Sequence, residues 1–452
     1  MSEPCAGEPP CPPRLRPEAN PSYWKTAIPT GLSSRPSHHG KPILKSVEAM
    51  RQTTTTLVGI FLIAIAVVLP SLGQGSQPGQ TPTEPFSQPK GPYAVGTHEY
   101  LWVDQKRDEP FTKDPSDRRH LLVRVWYPAE ATPGSSPAMY VRDINEFPEK
   151  SVYRRGEHIK TNSVTDAPIA KSKDRFPVLI YQPGGGTARF IGTFEAEQLA
   201  SQGYVIVSAD HPGFSETILF PDGYHFKADM LLAPKETGML RDDALKSWDW
   251  LEKDVFPTWT ADASYVLDKV EELDRTPGQL FQKRLDLSRI GMMGWSFGGA
   301  TSVQMSKDDR RVKAVVNQDG QLFGDVWEKG TSRPVMVMHH GGEDKPPKPA
   351  DAAVMKELTA MTQERDRSFL SHVTNDWYEV TISKTQHGHF SDFLLFFPRN
   401  QAELDPRRAH EIITAYTLAF FDKYLRGRDS DLLAAASTAY PEVTFKKGAG
   451  RR

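Results

Sequence analysis

Cysteine is almost missing from this chain. Its 452 residues contain two, Cys5 and Cys11, both near the start. Everything beyond Cys11 is therefore without a disulfide, a thiol nucleophile or a cysteine-bound metal. An excess of positive charge is also lacking, since 55 Lys and Arg face 57 Asp and Glu for a formal net charge of −2. No basic footprint exists for nucleic acid, which is not expected as a partner. Long apolar runs are absent too: the uncharged stretch Leu57 to Leu69 is 13 residues, short for a membrane-spanning helix. There is no H-E-x-x-H and no Gly-Lys-Ser/Thr phosphate loop. His339, His340, Glu343 and Asp344 are rich in ligand-type side chains, yet adjacent histidines on a strand point to opposite faces and do not readily share an ion. No metal and no cofactor are expected. What is present, 38% hydrophobic and 25% charged, is an ordinary globular balance able to bury a large core.

The first 92 residues read as three non-globular pieces. Residues 1–49 are rich in Pro, Ser and Arg without apolar periodicity, so a disordered extension is expected, with Met50 the expected true start. Residues 50–73 carry one arginine, the 13-residue apolar core and small residues at Ser71 and Gly73, which is the layout of an export signal cleaved after Gly73. An uncleaved anchor through residues 57–72 is the alternative; either way the rest of the chain is expected outside the cytoplasm, periplasmic or secreted. Residues 74–92 are Gln, Pro, Ser and Thr, and predict a flexible linker before a folded domain at 93–452.

Within that domain the most informative stretch is Arg289-Ile-Gly-Met-Met-Gly-Trp-Ser-Phe-Gly-Gly-Ala. A short apolar strand, Ile290 to Met293, leads into Gly294-Trp295-Ser296-Phe297-Gly298, and small residues then open a helix. A serine on a strand-to-helix turn this sharp needs glycine two positions before and after it, because a Cβ there would collide with the turn. The pattern predicts an exposed, nucleophilic Ser296 with helix N–H groups beneath it. Phe176 to Tyr181 is a second buried strand running into Pro183-Gly184-Gly185-Gly186-Thr187, a loop whose backbone can approach a ligand and donate N–H groups. Further strands are expected at Gly96 to Val103 and His120 to Tyr127 as an antiparallel edge pair, and at Tyr204 to Asp210, Val312 to Asp319, Pro334 to His340 and Trp377 to Ile382. Helical patterns between them, and a closing helix at Arg407 to Leu425, give the alternation of a mostly parallel sheet with helices on both faces. Residues 131–172 read as irregular surface. The span from Phe214 to Leu287 reads as mostly helical, with Met230-Leu231-Leu232 a candidate wall for an apolar pocket.

A nucleophilic serine needs a histidine base and an acid to orient it, in the chain order Ser, acid, His for this arrangement. Asp319 and Asp344, each following a strand, satisfy the order, and His387 and His389 both follow the last strand of the series.

The residues together resemble the serine-dependent platelet-activating factor acetylhydrolases, a branch of the α/β-hydrolase fold. The likeness lies in Pro92-Tyr-Ala-Val-Gly96, Tyr127-Pro128, Leu199-Ala-Ser-Gln-Gly203, Ile290-Gly-Met-Met-Gly-Trp-Ser-Phe-Gly-Gly299 and His387-Gly-His-Phe-Ser-Asp-Phe393. It implies catalysis by Ser296, Asp319 and His387, with the histidine chosen over His389 by the H-x-x-F-x-D pattern. It places the oxyanion donors on the backbone of Gly185 and Phe297. It also implies hydrolysis of short or truncated acyl chains from phospholipids at a lipid or membrane surface, with a general short-chain carboxylesterase, lipase or dienelactone-type hydrolase as the alternative. Two positions depart from the family. Trp295 stands where histidine usually precedes the serine, and the glycine loop reads Pro-Gly-Gly-Gly in place of His-Gly-Leu-Gly. The second departure is closer to relatives that draw their acid from the next strand, which would be Asp344.

Overall fold

The computed structural model describes residues 85–450 apart from 113, 132, 148, 150, 216, 221–222, 224, 228–247, 343–351 and 397–401. The extension, the export segment and the Met230-Leu231-Leu232 wall lie outside the described residues, as does Asp344. No helix among the described residues is long and apolar enough to cross a membrane.

A ten-stranded sheet forms the frame. Its strands are β1 (Ala94–Asp108), β2 (Arg118–Ala129), β3 (Ser163–Thr165), β4 (Phe176–Gln182), β5 (Val205–Ala209), β8 (Leu285–Trp295), β9 (Val312–Gln318), β10 (Val335–Gly341), β11 (Trp377–Ser383) and β12 (Val443–Gly448), in the spatial order 12-11-10-9-8-4-5-2-1-3. The central strands β5, β4, β8, β9, β10 and β11 are all parallel. The apolar runs of β4, β5, β8, β9 and β10 suit strands covered on both faces, while β11 alternates buried Tyr378, Val380 and Ile382 with half-exposed Trp377, Glu379 and Thr381. Alternation along β4 divides the core: Leu179 and Tyr181 join one cluster, Phe176, Val178 and Ile180 the other. Helices α1 (Thr193–Ser201) and α6 (Pro406–Arg426) cover the first face through Phe194, Leu199, Ile412, Ile413, Phe420 and Phe421. Helix α2 (Phe256–Arg275) covers the second through Ala263, Val266, Leu267 and Val270. This is the α/β-hydrolase architecture anticipated from the alternation of strands and helices.

Four expectations change. The antiparallel pair β1 and β2 forms, in the register Glu99 opposite Arg124, but β3 pairs outside it and the other edge is closed by an antiparallel β12. Residues 131–172 are more than surface: Tyr140, Phe147, Tyr153 and Ile159 are fully buried in the first core cluster. Their aromatic rings meet Phe190 edge to face, and this wide spacing in sequence hid them from any periodicity test. The Phe214 to Leu287 stretch contains a two-stranded hairpin, β6 (Thr217–Leu219) with β7 (His225–Lys227). Finally, residues 85–92, expected within the linker, are pinned to the domain. Phe86 is buried against Tyr140, Gly91 donates to Ser201 Oγ, and Arg407 donates to the Pro85 carbonyl.

Candidate active site

Parallel strands end on one side of the sheet, and the residues singled out above gather there, where crevices at the carboxyl ends of such strands bind ligands. Strand β8 finishes at Trp295, and Ser296 caps helix α3 (Phe297–Asp308) with φ 57° and ψ −125°. Few non-glycine residues hold this backbone, and such strain collects at functional turns. Close packing explains the flanking glycines. A Cβ on Gly298 would stand 2.1 Å from the Gln182 carbonyl and 2.4 Å from that of Pro183; one on Gly294 would meet Gln182 O and Gly298 at 2.6 Å. The elbow is thus pressed against the start of the glycine loop, which only hydrogen at those two positions permits.

The loop is held open by its own bonds. Thr187 donates to the Gly184 carbonyl through both its N–H and its Oγ1, and the Gly186 N–H donates to the Phe214 carbonyl at 2.7 Å. Gly185 N–H has no partner among the described residues. Behind the loop, His211 bridges Gln182 Oε1 and Asp262 Oδ2 at 2.9 Å each, stacked on Trp259, and Arg119 forks onto the same Asp262. The pull of Arg119 and the hydrogen bonds of His211 and Arg119 outweigh burial and hold the Asp262 carboxyl well below its usual range. Sequence reading missed this support, whose members are scattered from residue 119 to 262.

Asp319 and His387 meet directly. Asp319 follows β9 with φ 57°, and its N–H donates to the Met338 carbonyl of β10. His387 begins a short 3-10 turn, His387–Phe390, and its Nδ1 donates to Asp319 Oδ2 at 2.6 Å. The remaining ring nitrogen, Nε2, is buried and has no hydrogen-bond partner among the described residues. His389, the other candidate, is occupied elsewhere: its Nδ1 accepts from the Gln386 N–H and its Nε2 donates to the Leu404 carbonyl. Trp295, the departure before the serine, is buried and donates from Nε1 to the His387 carbonyl at 3.1 Å. Asp392, the last position of H-x-x-F-x-D, is fully buried and accepts the N–H groups of Thr193 and Phe194. It caps α1 across some 200 residues of chain, tying the histidine turn to the helix that follows the glycine loop.

A second histidine also reaches the acid. His340, at the end of β10, donates from Nδ1 to Asp319 Oδ2 at 2.7 Å and from its backbone N–H to Oδ1 at 3.0 Å. Burial raises the Asp319 carboxyl, but the two histidines more than reverse this and leave it well below its usual range. Asp319, His340 and His387 bring their ligand atoms within 4.8 Å of one another. At 2.6 and 2.7 Å the two nitrogens are at hydrogen-bonding distance from Oδ2. Ligands around a tetrahedral zinc stand about 3.3 Å apart, so the spacing is that of a hydrogen-bonded acid.

A strained serine at the helix end, a histidine bound to a buried carboxylate and a glycine loop beside them define the class: a serine ester hydrolase of the α/β-hydrolase fold. Comparison with known proteins agrees. Residues 269–436 match the family described as platelet-activating factor acetylhydrolase, isoform II, a span that includes Ser296, Asp319 and His387. The chain is 26% identical to a probable 1-alkyl-2-acetylglycerophosphocholine esterase of Arthroderma benhamiae, over 60% of its own length and 66% of the relative's. It is 23% identical to the platelet-activating factor acetylhydrolase of Gallus gallus, over 74% and 82% respectively. Among solved structures, a ferulic acid esterase from Streptomyces cinnamoneus superposes with a TM-score of 0.62 at 27% identity, covering 80% of this chain and 99% of that one. The chain is thus similar to platelet-activating factor acetylhydrolases over a span that holds Ser296, Asp319 and His387.

Proposed function

We propose that the protein hydrolyses the ester of a phospholipid bearing a short or truncated acyl chain, through an acyl-enzyme on Ser296. Ser296 Oγ bonds to the ester carbonyl carbon while its proton passes to His387 Nε2. The carbonyl oxygen takes the negative charge and is held by the N–H groups of Gly185 and Phe297. The bond to the alcohol oxygen then breaks as His387 returns the proton to it, and water repeats the sequence to free the acid. Asp319 keeps the His387 Nδ1–H oriented and balances the imidazolium. The observation that carries this reading is the 2.6 Å bond from His387 to Asp319 beside a serine held at φ 57°.

The names of the relatives favour the phospholipid. The ferulic acid esterase likeness supports a second reading, a general carboxylesterase, because that structure matches over most of this chain. A panel of an acetyl phospholipid, a long-chain phospholipid, a feruloyl ester and nitrophenyl esters separates the two. Preference for the acetyl phospholipid supports the first; turnover of the simple esters alone supports the second; unchanged turnover in Ser296→Ala sinks both. We also infer that residues 50–73 carry the chain out of the cytoplasm. N-terminal sequencing of protein recovered from cells tests it: a start at Gln74 supports cleavage, an intact leader in the membrane fraction supports an anchor, and an intact leader in the cytosol refutes export.

A further inference from the structure

We propose that His340 is a positioning residue for the reaction, holding the carboxylate of Asp319 in the orientation that His387 requires. The inference rests on the reading of Ser296, Asp319 and His387 given above, and it arises from how the lone pairs of one carboxylate are filled. Asp319 sits on a turn with φ 57°, a backbone that few non-glycine residues hold. Oδ2 receives His387 at 2.6 Å and His340 at 2.7 Å, and Oδ1 receives the His340 backbone N–H at 3.0 Å. Both carboxylate oxygens are therefore tied to a single residue of the neighbouring strand. Since Asp319 N–H is itself bonded to Met338 on that strand, β10 grips the acid at its backbone and at both of its oxygens.

His340 and His387 share Oδ2, so the carboxylate that would orient the base is itself held by a second ring on the adjoining strand. His340 thus steers the acid from β10.

Two variants test this, with each preparation first titrated by a fluorophosphonate to count reactive serines. His340→Asn keeps an N–H donor close to the position of Nδ1 but cannot be protonated. It is expected to retain kcat within about threefold with KM little changed, because the donor to Oδ2 is restored. His340→Ala leaves Oδ2 with one donor. It is expected to lower kcat per titrated serine by about tenfold or more with KM little changed, the mark of lost orientation. If His340→Ala keeps the wild-type kcat per titrated serine, or if His340→Asn loses as much kcat as His340→Ala, the role assigned to His340 is overturned. If the wild-type protein gives no fluorophosphonate burst, the serine reading fails first, and the role of His340 fails with it.

Discussion

Two histidines two positions apart have opposite fates, and single substitutions should separate them. His387→Ala removes the group bonded to Asp319, and turnover is expected to fall by on the order of 10⁴ with stability hardly altered. His389→Ala leaves the Gln386 N–H and the Leu404 carbonyl without their ring partners, so it is expected to cost about 2 kcal/mol in urea unfolding while folded molecules still label at the serine. The reverse pattern would exchange the two roles. Trp295 offers a finer test. Phenylalanine there keeps the packing against His387 but loses the Nε1 bond to its carbonyl, and kcat should drop by about tenfold with KM unchanged. A KM effect alone would show that Trp295 acts on binding and not on the placement of the base.

At the scale of elements, the elbow and the glycine loop behave as one unit because their backbones touch. Alanine at Gly298 would bring a methyl group to 2.1 Å from a carbonyl oxygen that has no freedom to move aside. Gly298→Ala is therefore expected to reduce the rate of fluorophosphonate labelling by on the order of 100-fold, even in molecules whose circular dichroism is native. Labelling at the wild-type rate would mean that the loop can withdraw from the elbow. The histidine turn is coupled to the same place from the other side, through the Asp392 cap on α1 and the Trp295 bond.

For the whole molecule, buried carboxylates set how stability follows pH. Glu195 on α1 is fully buried, and burial pushes its carboxyl up to about 7 against the opposing bonds from Gln318 and Thr417. Its folded value lies above its unfolded one, so stability is greatest below about pH 4.5 for this group and is lost as pH rises through 7, by about 3 kcal/mol in full. Asp319 acts in the other sense: its folded value is depressed, so its contribution is present above the unfolded value near 4 and fades as pH falls. Glu195→Gln should therefore raise stability at pH 8 and leave it nearly unchanged at pH 4.5 in denaturant titrations. An equal change at both would refute the assignment. The segment ahead of β1 contributes as well. Phe86→Ala should destabilise the fold by about 3 kcal/mol, since the ring lies in the core against Tyr140; a change near zero would return residues 85–92 to the role of a tether.

Local sequence determined the parts whose physics is local. Ser296 was legible because a strained turn admits only glycine around it, and β4, β5 and β8 to β10 because strands covered on both faces must be continuously apolar. The alternation of these strands with helices then dictated a parallel sheet. Tertiary structure decided whatever depends on residues far apart in the chain meeting at one point. His387 and His389 both follow the same strand, so position alone does not separate them; the H-x-x-F-x-D likeness pointed to His387, and the fold turns that ring towards Asp319 and His389 towards Leu404. His340 looked like half of an awkward histidine pair until β10 was laid beside β9 in register, which set its ring on the same oxygen as His387. The aromatic residues of 131–172 and Phe86 were invisible for the same reason: burial without periodicity leaves no mark on a sequence, because the surface that covers them comes from elsewhere in the chain.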